Sequence, residues 1–446
     1  MLRHVTTIVF VGAGSAEFTR QLVRDLLTFD DLGPLDLVMH DIDARRLALA
    51  EQVALTSVAH HGRWDTTTVR ATADRREALV GADFVINTVN IGGHAATLTD
   101  FDVPEAFGVR QTIADTLGVG GVFRGLRTFP FLDALGGDIE EVCPEAWLLN
   151  YTNPMAMNIG YLAATHPRVR VLGLCHSVYW TVVDLCELIG VPHEDVEVRS
   201  AGVNHQAWIL SWTLDGEDLY PRLDSVIDAD PELLRRTRVD LYRRLGHYPT
   251  ETSEHSSEYV GWYLHDPAEV ERLRLPIRDY VGISAANVEE TERLIAAAEQ
   301  GIYAEPEEDA AEYAPQVIHS IVTGTPRRIQ ANVVNTDLID NLPAGAPIEA
   351  PCLIDAEGAH PEPAGALPEQ LAALNRTFLS VVELTVRAAT EGRPEHVRHA
   401  LMLDPNTAST LSVDRIWELA DAMTAAHGDL LPESLRTPLQ PSPGAP

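Results

Sequence analysis

Thr7-Ile8-Val9-Phe10-Val11-Gly12-Ala13-Gly14-Ser15 is the stretch on which the fold turns. Its apolar, largely β-branched start reads as a buried strand, and the Gly-x-Gly that follows reads as a phosphate-binding turn. Gly12 permits the tight turn, and Gly14 lets backbone approach a pyrophosphate. With Ser15 they open a helix whose N-terminus favours negative charge. Phe18, Leu22, Val23 and Leu26 continue as a helical stripe, while Glu17 stands where a third glycine is usual. A second strand, Leu35–Met39, ends at His40-Asp41. An acid there is placed to hydrogen-bond ribose hydroxyls and to repel a 2′-phosphate, which favours NAD over NADP.

Outward from this start, strands and helices alternate with short connections. Helix 45–60, a strand near 67–71, strand 84–89, a helix opened by Gly118–Phe123, strand 146–149, helix 155–164, strand 170–174 and helix 178–189 follow in order. Near-continuous apolar strands between helices call for a parallel sheet covered on both faces. The expected class is therefore α/β, a Rossmann-like doubly wound parallel sheet, followed by a mixed α+β C-terminal domain. Domains are expected at 1–195 (NAD-binding) and 196–431 (substrate, metal and oligomerisation). Helices are read at 231–245, 287–300, 368–392 and 412–426, and the proline-rich 432–446 reads as a flexible tail.

The 446 residues carry 33 Lys plus Arg against 66 Asp plus Glu, a net charge of −33 that disfavours nucleic acid and anionic membranes as partners. A composition 45% hydrophobic and 22% charged is that of a globular enzyme. Neither a transmembrane run nor a signal peptide is read, so a cytoplasmic location is expected. The four cysteines (Cys143, Cys175, Cys186 and Cys352) lack framework spacing and suit a reducing compartment.

Chemistry is concentrated in four places. Asn150-Tyr151-Thr152-Asn153-Pro154 follows a strand whose C-terminal end faces the ligand crevice. Its asparagines offer both donors and acceptors, suiting a nicotinamide edge at Asn150 and sugar hydroxyls at Asn153. Cys175 also ends a strand, and His205 sits in Gly202-Val203-Asn204-His205. Thiolate and neutral imidazole are good ligands for a divalent transition metal, and two protein ligands leave positions open for substrate oxygens. Gly246–Tyr259 is dense in acids and bases, although by composition alone a solvated acidic loop is the better reading.

Taken together, these motifs resemble glycoside hydrolase family 4, the NAD- and metal-dependent glycosidases. The resemblance runs from about Thr7 to about Ala425. It is strongest at Arg110–Thr112 with Gly120–Arg124, at Leu148–Asn158, at Gly173–Val178, and at Asn332–Pro343 with Leu367–Thr377. The family is a known exception to paired-carboxylate glycoside hydrolysis. It implies oxidation of the sugar at C3 by NAD, loss of the C2 proton beside a metal-polarised carbonyl, elimination of the leaving group, addition of water and re-reduction. Carried over by position, Cys175 and His205 hold Mn2+, Asn153 and Asp115 meet the sugar, and His176 protonates the leaving oxygen. Tyr248 is the expected base, with Tyr259 and Glu251 as rivals.

Cys-His-Ser resembles the branch taking unphosphorylated α-glycosides, with α-galactosides foremost and α-glucosides or uronides as alternatives. His94 stands where phosphosugar members carry a basic residue. Tyr179 and Trp180 are unusual for the α-galactosidase branch. A hydroxy-acid or polyol dehydrogenase, or a non-catalytic NAD-binding module, are the readings from other classes. The resemblance and the apolar C-terminal helices imply a homo-oligomer, dimer or tetramer, with a small glycoside as substrate.

Overall fold

Strand β1 (Thr6–Val11) is buried along nearly its whole length, because neighbours in the sheet and helices on both faces leave no side exposed. The computed structural model describes residues 5–303 and 312–436. After β1 come α1 (Ala16–Thr28), β2 (Leu35–His40), α2 (Ala44–His60), β3 (Thr67–Thr72), α3 (Arg75–Leu79) and β4 (Phe84–Asn87). Next are α4 (Gly93–Phe107), α5 (Gly118–Val142), β5 (Trp147–Asn150), α6 (Met155–Thr165), β6 (Arg170–Gly173) and α7 (Ser177–Ile189). These six strands pair in the order β3-β2-β1-β4-β5-β6, all parallel. That order is the doubly wound dinucleotide-binding arrangement, whose ligand crevice opens at the strand C-termini.

The remaining strands extend the same sheet. They are β7 (Glu197–Val203), β8 (Gln206–Leu214), β9 (Glu217–Asp218), β10 (Tyr248–Pro249), β11 (Arg327–Val334), β12 (Pro347–Asp355) and β13 (Gly358–Pro361). Beyond β6 the order continues β11-β12-β7-β8-β10, with antiparallel pairing throughout. The two joins are narrow: Asn332 pairs with Gly173, and Glu349 pairs with Gly202. Strands from both sides of residue 195 therefore share one sheet, and β11–β12 wedges between β6 and β7.

One buried ion pair fastens α4 to α5, and a C-terminal helix reaches it. Arg127 on α5 donates two hydrogen bonds to Asp100 on α4, at 2.9 and 2.7 Å, with both side chains almost wholly excluded from solvent. His427, at the end of helix Val413–His427, places Nε2 3.0 Å from the same carboxylate. Arg127 also donates through Nε to the Ile91 carbonyl, in the loop that follows β4.

Some element boundaries differ from expectation. Residues 231–245 form a 3-10 turn (Pro231–Arg235) and a helix (Thr237–Leu245), because Asp230 caps the first segment and Arg236 is extended between them. Helix 287–300 is the end of a longer one, Asp279–Glu299. Of the expected flexible tail, Glu433–Leu435 is a 3-10 turn, Leu435 is buried in the main core, and Arg436 is hydrogen-bonded to Leu431 and Asp429. Residues 437–446 lie outside the described residues. Among the described residues no helix is long and apolar enough to cross a membrane.

Candidate active site

At the end of β1, Gly12 has φ +84° and Gly14 donates its amide to Oδ2 of Asp41 at 2.9 Å. A Cβ on Gly14 would lie 2.5 Å from that oxygen, so no larger residue fits without moving the loop. The other oxygen of Asp41 accepts from the Asp43 amide at 2.9 Å. Asp41 thus ties the glycine turn to the β2 loop, and each of its oxygens has a further lone pair to offer. Ser15 is exposed at the N-terminus of α1 and makes no side-chain cap bond. Asn150, read as a cofactor contact, has a structural role in the fold. Its side chain is fully buried, accepts from Asn87 at 2.8 Å and donates to the Thr152 carbonyl at 3.0 Å, so it fastens β4 to β5 behind the crevice.

Cys175 follows β6, and His205 occupies the tight turn between β7 and β8. Their Sγ and Nε2 atoms lie 3.3 Å apart. Glu251, in the loop after β10, brings Oε2 to 3.7 Å from the same Nε2. Cys175, His205 and Glu251 each offer a ligand atom within 4.8 Å of the others. Metal–ligand bonds of about 2.0–2.3 Å set the ligands of a tetrahedral ion roughly 3.5 Å apart, so this donor set fits a shared divalent ion.

Thr116 fixes how His205 presents itself. Its hydroxyl donates to Oδ1 of Asp115 at 2.7 Å, which leaves its oxygen to accept from Nδ1–H of His205 at 2.7 Å. With Nδ1–H given to Thr116, Nε2 is the nitrogen turned toward Cys175 and Glu251, and loss of its proton frees it to ligate a metal. Asn153 donates to the other oxygen of Asp115 at 2.9 Å, and the peptide between Asn153 and Pro154 is cis. Nε2 of His255 sits 3.4 Å from Asp115, and its Nδ1 sits 3.5 Å from Glu251. Asp115, His205 and His255 form a second convergent group of possible ligands.

The loop carrying Asp115 is held from below. Glu258 accepts from the backbone amides of Thr112, Ile113 and Ala114 at 2.7–3.1 Å. Ala114, His205 and Glu251 all have positive φ, at 58°, 66° and 67°. Three non-glycine residues in this strained region, gathered around one cluster, mark a place where geometry is held against local cost.

Charge explains the titration of these groups. Burial lowers the pKa of His205, but the charges of Cys175, Glu251 and Asp115 outweigh it and push the ring up to about 10. Burial opposes the charge of Asp115, yet His255, Arg124 and His205 hold its carboxyl well below the usual range. Burial also raises Glu251, and the charges of His205 and His255 bring it below its ordinary value. Behind the cluster, Glu349 is fully buried, and neither of its oxygens finds a hydrogen-bond donor among the described residues. Burial raises it, the charge of His205 opposes, and that of Glu251 adds, leaving it at about 8.

His176 flanks Cys175, and its Nε2 lies 2.9 Å from Oε2 of Glu312, a buried carboxylate at the start of helix Tyr313–Thr323. Tyr248 does not join the cluster. It packs with Tyr242, Trp212 and Leu223 in a separate apolar cluster, beneath the guanidinium of Arg238. The pairing of β10 with β8 sets its ring in that cluster. Tyr259, the first rival, lies against His255 with its hydroxyl buried; burial and the charge of Asp115 push its pKa well above the usual range. Glu251 is the member of that trio that reaches the ligand pair. Sequence reasoning did not find Thr116, His255 or Glu312. Asp115-Thr116 sits next to the Gly118–Gly121 helix start, whereas nothing local marks Glu312.

Residues 7–191 match the model described as family 4 glycosyl hydrolase, and residues 200–407 match its C-terminal domain. The chain is 38% identical over 435 residues to an alpha-galactosidase of Bacillus subtilis (strain 168), covering 96% of this chain and 99% of that one. It is 32% identical over 440 residues to an alpha-galactosidase of Rhizobium meliloti (strain 1021), covering 96% and 89%. The fold superposes with a TM-score of 0.80 on a 6-phospho-alpha-glucosidase from gut microorganisms in complex with NAD and Mn2+, at 21% identity and covering 96% and 100%. With both family models matched across a single sheet and a relative aligned almost end to end, the chain belongs to glycosyl hydrolase family 4.

Proposed function

We propose that the protein hydrolyses α-galactosides with NAD and a divalent ion, Mn2+ foremost, as its cofactors. The observation that carries the reading is the convergence of Cys175, His205 and Glu251 beside the C-terminal ends of β4–β6, in the same crevice as the Gly12–Gly14 turn. Two alpha-galactosidase relatives aligned over most of their length support the choice of sugar. When bound, the nicotinamide would accept hydride from a sugar carbon and return it, and the metal would polarise the neighbouring oxygens.

The chain's own side chains then have distinct tasks. The glycine turn receives the pyrophosphate, and Asp41 faces the adenosine ribose. Cys175, His205 and Glu251 hold the ion, with His205 kept in the ligating tautomer by Thr116. Asp115 and Asn153, locked to one another, offer acceptor and donor to sugar hydroxyls. His176, beside Glu312, holds a proton for the departing oxygen. Proton acceptance beside the ligand set falls to His255, 3.5 Å from Glu251, because Tyr248 faces another cluster.

A panel of nitrophenyl α- and β-glycosides, with NAD+, Mn2+ and a thiol reductant, tests the proposal. The expected result is release of free galactose from the α-galactoside without lasting NADH absorbance, and deuterium at C2 when the solvent is heavy water. Stoichiometric NADH accumulation would replace the glycosidase with a dehydrogenase, and unaltered hydrogen at C2 would remove the elimination route.

A further inference from the structure

Trp180 is 52% exposed on α7. Rings gather around His176, at the N-terminus of the same helix. Phe18 packs edge-on to Tyr151 at 4.8 Å between centroids, Tyr151 lies 6.2 Å from His176, and His176 lies 5.4 Å from Tyr313. One turn along α7, Tyr179 meets Trp180 edge to face at 5.1 Å. Tyr179 is braced on its other side by His193, 5.9 Å away.

The helix explains the placement. Val178, Thr181 and Leu185 form the buried stripe of α7, and the Trp180 amide donates to the His176 carbonyl at 3.0 Å. Residues three and four apart share a helix face, so Tyr179 and Trp180 stand one turn beyond His176, with Tyr179 partly buried against the core and Trp180 exposed. Along the chain the order is metal ligand, proton-holding imidazole, aromatic pair. For a bound glycoside, the matching order is ring carbon, glycosidic oxygen, leaving group.

We propose that Trp180, braced by Tyr179, is the platform for the leaving group and favours glycosides whose leaving group is itself a pyranose or aryl ring. This rests on the glycosidase reading above. The C–H face of a pyranose is apolar and lies flat on an indole, while the indole N–H meets a hydroxyl at the edge. Two χ angles make the platform stiff, and the packing of Tyr179 against His193 removes part of that freedom before substrate arrives.

The test uses the full-length enzyme with NAD+ and Mn2+ on methyl α-galactoside and on a disaccharide in which α-galactose is linked to glucose. Trp180→Ala should lower the ratio of kcat/KM for the disaccharide over the methyl glycoside by roughly two- to tenfold. Trp180→Phe should restore most of that ratio. A ratio preserved in Trp180→Ala overturns the platform, and it does so equally if the variant changes oligomeric mass, which would assign the ring to contacts between copies. A wild-type enzyme that turns over neither compound overturns the glycosidase reading itself.

Discussion

Oγ1 of Thr116 lies 2.7 Å from Nδ1 of His205 and 2.7 Å from Oδ1 of Asp115, so one hydroxyl joins the buried carboxylate to the imidazole beside Cys175. Groups that orient a ligating histidine typically contribute 10–100-fold in metal affinity. Thr116→Val keeps the shape and removes the acceptor. It should weaken Mn2+ binding by about 10–100-fold, while Thr116→Ser should bind nearly as the parent does. Titration calorimetry reads the difference, and equal affinity of the Val variant would show that His205 needs no such partner.

Glu349 makes the stability of the ion-free chain depend on pH. Its carboxyl sits at about 8 in the fold, against an ordinary value of 4.5. A raised pKa means that the folded chain holds the proton more tightly. Its contribution is complete below the unfolded pKa and is lost as pH rises through the folded one. Between pH 5 and 8, Glu349→Gln should therefore gain on the parent steadily, by an amount on the order of a few kcal/mol. Urea midpoints at several pH values measure the gap, and a constant gap would place a charged carboxylate there throughout.

Arg127 and Asp100 make a stability prediction of a different kind. Removing one member of a buried ion pair leaves the other charged without compensation, at a cost of about 3–5 kcal/mol. Arg127→Met should lose stability on that scale, whereas the double change Arg127→Met with Asp100→Leu should recover much of it. His427 shares the Asp100 carboxylate, so loosening should register first in the C-terminal helix by hydrogen exchange. Equal exchange in that helix would contradict the idea that this pair fastens it.

The glycine turn and the six parallel strands were legible in the sequence because their apolar runs are short, regular and bounded by helical stripes. Cys175 and His205 were legible for a different reason: each ends a strand or turn inside a distinctive local motif. Glu251 was harder to place. A stretch as acidic as Thr250–Glu258 reads by composition as a solvated loop, and only the pairing of Tyr248 with Ile209 shows which of its residues turn inward. The same pairing buries Tyr248 in an apolar cluster, which periodicity over two residues has no power to foretell. Thr116 and Glu312 act through partners 89 and 136 positions away, respectively, in His205 and His176, and no local pattern encodes such distances. The continuity of the sheet was hidden similarly, since single pairings at Asn332 and Glu349 join its halves.

The ribbon of β11 and β12 has a consequence for biosynthesis. Both proposed metal donors, at 175 and 205, leave the ribosome well before residues 327–355, yet those later residues supply the two strands that lie between β6 and β7. A nascent chain halted short of residue 327 would carry every candidate ligand and still lack the spacer that sets them in register. The proposed ligand set is thereby brought into register only once residue 355 has been made.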